Sequence, residues 1–256
     1  MIKLSDRLQT IADLIKNGQT VADIGTDHGF LPIFLWESKK SPKVILADIS
    51  KGSLQKSIDN VNLQNFSQDI LSQSFDFRLG NGIQVLENGE VDVVVMAGMG
   101  GILMTEILSA DLIKTKSIKS FILQPRNGQG KLRWWLLQNG FQIKEEKLVR
   151  EGKFICEVIH AEPVAWDCGL IKLSMDEDWE QKKQSEDIEY EIPESILISN
   201  GALAVEFAER KLKIEFDILE NIKKAVFLDE EKREQTESRS LYLKNLISKY
   251  GERGEQ

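Results

Sequence analysis

The stretch Val21-Ala22-Asp23-Ile24-Gly25-Thr26-Asp27-His28-Gly29 decides the fold. Its first half reads as the end of a buried strand. Its second half is a tight polar turn leading into Phe30-Leu31-Pro32-Ile33-Phe34-Leu35-Trp36, which begins a helix. Neither Gly25 nor Gly29 has a side chain to hold a ligand away from the backbone. A second strand, Val44-Ile45-Leu46-Ala47-Asp48, follows at a spacing that puts Asp48 beside a nucleoside ribose in a parallel sheet. The turn is not the G-x-G-x-x-G dinucleotide fingerprint, and Asp23, Asp27 and Asp48 together make a poor pyrophosphate site. A nucleoside cofactor without phosphates fits the charges better. The residues alone also allow a purely structural strand-to-helix turn, with Asp48 acidic only because strand ends meet solvent.

Working outward, Leu4, Leu8, Ile11, Ala12, Leu14 and Ile15 recur at helical spacing, and Ser5 or Asp6 can cap a helix over 5–16. A helix over 50–62 carries Leu54, Ile58 and Val61, and Phe75-Asp76-Phe77-Arg78-Leu79 is a third strand closed by Gly80-Asn81-Gly82. Val91-Asp92-Val93-Val94-Val95-Met96-Ala97 is the most β-prone run and suits a central strand. It runs into Gly98-Met99-Gly100-Gly101 and a helix through Leu108. Ser120 to Gln124 is the next strand and stops at Pro125, Gly130 to Gln138 is helical, and 141–149 with 153–160 forms an antiparallel hairpin around Glu151-Gly152. Alternating strands and helices followed by a hairpin predict an α/β, doubly wound, mostly parallel seven-stranded sheet with an antiparallel edge. Right-handed crossovers then place the ends of the first, second and fourth strands around one crevice.

Beyond Pro163 the pattern changes. Residues 164–193 read as an acidic linker or insertion. From Gly201 onward Val205, Ala208, Leu212, Phe216, Leu219, Ile222 and Val226 step by threes and fours. Leu228-Asp229-Glu230 turns the chain, and Leu241, Leu243, Leu246, Ile247 and Tyr250 form the return face of an antiparallel coiled-coil hairpin. The domain plan is 1–163, 164–193 and 194–256.

The chain has 33 basic and 41 acidic side chains, a net charge of −8 that gives no support to nucleic-acid binding. The charge is uneven, however. Asp176 to Glu194 holds nine acidic residues against two lysines, so the remainder is nearly neutral and has room for a basic face. Cys156 and Cys168 lie in no metal-ligand spacing, and with only two histidines no metal site is expected. Met1 leads into a polar segment, and no apolar run approaches the ~20 residues that span a bilayer. A cytoplasmic protein without a membrane partner is the expectation.

The remaining residues that can carry chemistry stand at strand ends. Asn81 can bond an adenine edge or belong to an ordinary exposed turn. The glycines of 98–101 suit close approach of a substrate or of the cofactor. Gln124-Pro125-Arg126-Asn127 offers amide and guanidinium donors to a base or a phosphate. His28 has no paired nucleophile, His160 packs at or faces out from an edge strand, and Trp134-Trp135 divides between core and surface.

Ser5-Asp6-Arg7-Leu8, Ala22 through Gly29, Ala97-Gly98-Met99-Gly100-Gly101, Leu123-Gln124-Pro125 and Gly152-Lys153 ahead of Glu157 together resemble the bacterial tRNA (adenine-22) N1-methyltransferases. The resemblance covers residues 1–160 well and the last ~60 in outline. It implies a class I S-adenosylmethionine-dependent enzyme with a Rossmann-like domain and a C-terminal helical hairpin. It also implies methionine and sulfur contacts on Asp23, Gly25 and Asp27, ribose recognition on Asp48, adenine recognition on Asn81, and a reaction floor at Gly98, Met99 and Gly100. Thr26, His28, Ile49 and Gly82 complete the implied cofactor set. Gly98 and Met99 are expected at the reaction centre, and Asp27 is the expected catalytic carboxylate, because its place in the cofactor turn lets it face the positive charge that develops on a methylated adenine.

Binding tRNA requires positive surface. The expected contacts are Lys3, Arg7, Gln124, Pro125, Arg126, Asn127, Lys131 and Arg133, with Lys144, Lys147, Arg150 and Lys153 as a second group; no DNA is expected. Asn81 stands where family members often carry Asp, Arg126 where many carry Asn, and 164–190 has no counterpart in the family plan. Competing readings are methylation of a protein or small molecule, a non-catalytic RNA-binding module of the same fold, and, third, a nicotinamide dehydrogenase.

Overall fold

The computed structural model describes residues 2–164, 187–225 and 229–251. The chain runs α1 (Asp6–Leu14), β1 (Val21–Ile24), α2 (Phe30–Glu37), β2 (Val44–Asp48), α3 (Lys51–Asn62), α4 (Gln68–Ser74), β3 (Phe75–Leu79), a 3-10 turn at Gly82–Val85 and β4 (Val93–Met99). Then come α5 (Gly101–Ser109), α6 (Leu112–Ser117), β5 (Ser120–Pro125), α7 (Gln129–Gln138), β6 (Phe141–Glu151) and β7 (Phe154–Pro163). The C-terminal part holds α8 (Ile188–Glu191), α9 (Glu194–Lys224) and α10 (Glu230–Gly251). The seven strands are ordered β3-β2-β1-β4-β5-β7-β6, and only β7 opposes its neighbours. This is a Rossmann-like sheet whose order reverses between β1 and β4.

Strand alternation builds a core on each face. Val21, Val93 and Val95 point to the side covered by Ile11, Leu31, Leu35 and Val61, while Ala22, Val94 and Met96 meet Met104, Leu108, Leu132 and Leu136 on the other. Burial on both faces is why the central strands read as continuous apolar runs rather than as alternating ones. Ser5 caps α1 and Ser50 caps α3, each accepting a backbone amide with its hydroxyl.

β6 is an edge strand, and an uncovered edge invites pairing with another chain. Asn200 covers it: its side-chain oxygen accepts the Leu148 amide at 2.8 Å, and its amide donates to the Glu146 carbonyl at 3.1 Å. Leu148 in turn packs into the cluster of Ile192, Ile196, Phe207, Leu243 and Tyr250 that holds the two long helices together. The helical pair is thus fastened to the sheet by apolar packing and by edge hydrogen bonds.

Several sequence expectations need correction. β4 extends through Gly98 and Met99 instead of ending at Ala97, with a shift of register between Ala97 and Met99. Helices α4 and α6 were not anticipated. α9 begins at Glu194, well before Gly201, and Gly201 interrupts it with φ 53° and ψ −136°. Within the hairpin Glu215 is buried and paired with Arg239 at 2.8 Å, while its neighbour Phe216 is exposed, as is Leu241 on the return helix. The segment 165–186 and the turn residues 226–228, with the expectations that fall on them, lie outside the described residues.

Candidate active site at the ends of β1, β2 and β4

Register brings the three loops side by side. Ile24 lies opposite Ala47 on one flank and Met96 on the other, and Asp48 lies opposite Leu79. The Gly25 and Thr26 amides both donate to the Ala47 carbonyl, at 2.8 and 3.2 Å, which folds the first turn over the end of β2. The Gly80 amide donates to the Asp48 carbonyl at 3.0 Å and holds the Asn81 turn against Asp48. Gly25 has φ +83°, and a β-carbon there would stand 2.7 Å from Met99 Cε. Gly98, at φ +80°, forms the bulge that bends the end of β4, and Arg126 lies alongside it.

Between the first and fourth strands opens a cleft of about 510 Å³. Its walls include Asp23, Gly25, Thr26, Asp27, His28, Gly29, Ala97, Gly98 and Arg126, and Lys3, Leu4, Ser5, Arg7 and Leu8 around the start of α1 close one side. Asp48, Ile49, Asn81 and Gly82 are not on that wall; they continue the same edge of the sheet past β2 to β3.

The electrostatics of the cleft are anionic at its base and cationic at its rim. Burial pushes the Asp23 carboxyl up to about 6; the nearby Asp48 adds to this, while the Thr26 hydroxyl and Arg7 oppose it. A buried carboxylate held that way is a receptor for a cation. Asp27 is exposed, and hydrogen bonding from Lys56 holds its pKa below the ordinary value, with His28 adding to the effect. Lys56 Nζ is 3.1 Å from Asp27 Oδ1 and His28 Nε2 is 3.1 Å from Oδ2. Arg7, on the cleft wall, donates to Glu151 at 2.8 Å and to the Gln124 oxygen at 3.0 Å.

The structure removes three residues from the expected substrate surface. Arg133 is fully buried, with Nε 2.7 Å from Glu146 and an Nη 2.5 Å from Glu157, and it also donates to the carbonyls of Tyr190 and Glu191. Gln124 and Pro125 are buried within β5, and Gln124 is engaged with Arg7 and the Pro125 carbonyl. Arg126 and Asn127 remain exposed, and the Asn127 side-chain oxygen lies 3.0 Å from where a Gly100 β-carbon would stand. Of the second basic group, Lys144, Lys147 and Arg150 are ion-paired with Glu162, Glu145 and Glu206. Sequence reading missed Lys56, which reaches from α3 to Asp27, 29 residues earlier in the chain, and Phe30, whose ring stacks on His28 at 5.3 Å. It placed Lys3 and Arg7 on the RNA-facing surface but did not place Leu4, Ser5 and Leu8 on the wall of the cleft. Among the described residues no cluster of His, Cys, Asp and Glu can hold a metal ion.

The strand order, the antiparallel edge and a phosphate-averse cleft at the switch point define a Rossmann-like domain of the methyltransferase class. The family model described as a methyltransferase domain matches residues 4–159, and the chain belongs to that family. The tRNA (adenine(22)-N(1))-methyltransferase of Bacillus subtilis is 34% identical over 161 residues, covering 63% of this chain and 66% of that relative, just under two thirds of its length. The crystal structure of the B. subtilis M1A22 tRNA methyltransferase TrmK superposes with a TM-score of 0.79 at 28% identity, over 96% of this chain and 100% of that one. The Streptococcus pneumoniae Sp1610 structure in complex with S-adenosyl-L-methionine gives 0.72 at 26% identity, over 96% and 100%.

Proposed function

We propose that the chain is an S-adenosylmethionine-dependent methyltransferase that modifies N1 of an adenine in tRNA, at the position for which its B. subtilis relative is named. The observation that carries this reading is the convergence of the β1, β2 and β4 ends on one edge of the sheet, where Asp23 and Asp27 line the cleft and Asp48 continues the edge beside it. The residues fit the cofactor. Strands lie ~4.8 Å apart, so the edge from β1 across β2 to β3 spans about 10 Å, the scale of a nucleoside. Asp23 would take the cationic methionine end, with Gly25 and Thr26 offering close backbone. Asp48 would bind the ribose hydroxyls by charge-assisted bonds and Asn81 the adenine edge, with His28, Ile49 and Gly82 flanking.

Bound S-adenosylmethionine supplies an electrophilic methyl on sulfur. Adenine N1 carries an in-plane lone pair at neutral pH, so no strong base is required of the protein. Gly98, Met99 and Gly100 would form the floor that aligns the base with the methyl, and alignment supplies much of the acceleration. Asp27, kept ionised by Lys56, would face the positive charge that develops on the ring. Because N1 lies on the Watson–Crick edge, a paired or stacked target must first be exposed. Lys3, Arg7, Arg126 and Lys131 are proposed to meet RNA phosphates around the cleft. Residues 1–163 would be the catalytic domain, 164–193 an acidic linker and 194–256 the helical arm, in a protein that works in the cytoplasm, where its tRNA substrate is. No helix among the described residues is long and apolar enough to cross a membrane.

The test is incubation with labelled S-adenosylmethionine and unmodified tRNA, followed by mapping of the label. Methyl on N1 of a single adenine supports the reading. Label on protein or small molecules but not on RNA contradicts it.

A further inference from the structure

β7 runs against β5 and β6 runs against β7, so β6 ends on the same side of the sheet as β1, β4 and β5. Leu123 pairs with Ile159, and the hairpin continues to its tip at Glu151–Phe154. The tip therefore overruns the end of β5 by about 10 Å and stands over the cleft side of the domain.

Three contacts hold it there. Arg7, on the cleft wall, donates to Glu151 at 2.8 Å; Arg210 of α9 donates to the Lys153 carbonyl at 2.6 Å; and Arg150 pairs with Glu206 of α9. On this braced tip Phe154 is 63% exposed, and Lys153 Nζ lies 5.2 Å from its ring centre. The ring thus stands largely in solvent at the start of β7, with the Lys153 ammonium as its close neighbour. A rigid ring with an ammonium beside it has the chemistry that grips an unpaired nucleotide: the base stacks on the ring and the cation meets the phosphate.

We propose that Phe154 and Lys153 form a stacking site for an unpaired nucleotide of the RNA substrate next to the target base, holding the strand open while that base enters the cleft. This rests on the proposed tRNA substrate. The site would act as a wedge, filling the gap that an extruded base leaves in the stack.

The experiment compares wild type, Phe154→Ala, Phe154→Trp and Lys153→Gln. It reads kcat/KM for unmodified tRNA, calorimetric affinity for S-adenosylmethionine, the fluorescence of 2-aminopurine placed beside the target adenine, and sedimentation. Phe154→Ala should lower kcat/KM for tRNA roughly tenfold and blunt the 2-aminopurine signal, while cofactor affinity and sedimentation stay unchanged. Phe154→Trp should restore both, and Lys153→Gln should lower tRNA affinity with a shallower salt dependence. The assignment is overturned if Phe154→Ala stays within twofold of wild type on tRNA or loses cofactor affinity in parallel. It is likewise overturned if Phe154→Ala changes sedimentation while tRNA kinetics hold, which would make the tip a contact between copies of the chain. A wild type that methylates no tRNA would instead remove the substrate itself, and this site with it.

Discussion

Asp23 is buried at the base of the cleft with its pKa raised to about 6 from 3.8. A raised folded-state pKa means that the native protein holds its proton more tightly than the unfolded chain. The stability contribution is therefore full below about pH 4 and is lost as pH rises through 6, a penalty of about 3 kcal/mol at neutral pH. Asp23→Asn should raise the melting temperature of the ligand-free protein at pH 7.5, with the difference closing by pH 4, while weakening S-adenosylmethionine binding. A variant that melts no higher at pH 7.5 would show that the buried charge is compensated. Arg133 presents the opposite case, a buried cation between Glu146 and Glu157. Replacing it with Met leaves two carboxylates without their counter-charge, and burial already pushes Glu157 up. Denaturant unfolding of Arg133→Met should show a loss of roughly 3–5 kcal/mol. The misreading of Arg133 as surface charge has a physical source. It stands beside the Leu132–Leu136 stripe rather than on it, and both carboxylate partners come from strands that follow it in the chain.

Among elements, the central strands were legible because burial on both faces makes them short apolar runs, and the loops after β1 and β2 were legible because polar residues end those runs abruptly. The extension of β4 through Gly98 and Met99 was not, since a bulge breaks the alternation that marks a strand. Helix α9 shows the same limit. Its first turns dock on β6 through Asn200 and Leu148, contacts that no helical periodicity reports, and the sequence stripe began only after the Gly201 break. Gly201 sits in a backbone region that other residues adopt at a cost. Gly201→Ala should cost about 1–3 kcal/mol in thermal or denaturant unfolding. An unchanged midpoint would mean that the helix straightens through this position without penalty. In the hairpin, the Phe216 reading failed by one residue, because the Glu215–Arg239 pair takes the inner position that apolar patterning reserves for a large side chain.

At the scale of the molecule, the sheet and the helical arm share one set of contacts. Arg133 donates to the carbonyls of Tyr190 and Glu191, Ser195 donates to Glu146, and Leu148 belongs to the arm's apolar cluster. Deleting 194–256 therefore strips the cover from the β6 edge as well as removing the arm. The truncated protein should aggregate or melt well below the full chain, by light scattering and calorimetry; a monomeric, fully stable core would show that the arm is merely appended. The same unity underlies the site. Three segments far apart in the chain, at Asp23, Asp48 and Gly98, end side by side because parallel strands with right-handed crossovers bring their ends to one edge. Crystals grown with S-adenosylhomocysteine test that account most directly. It predicts density for the ribose on Asp48, the adenine beside Asn81 and the amino-acid end over Asp23, all within one continuous ligand; density elsewhere, with these three positions meeting only solvent, would contradict it.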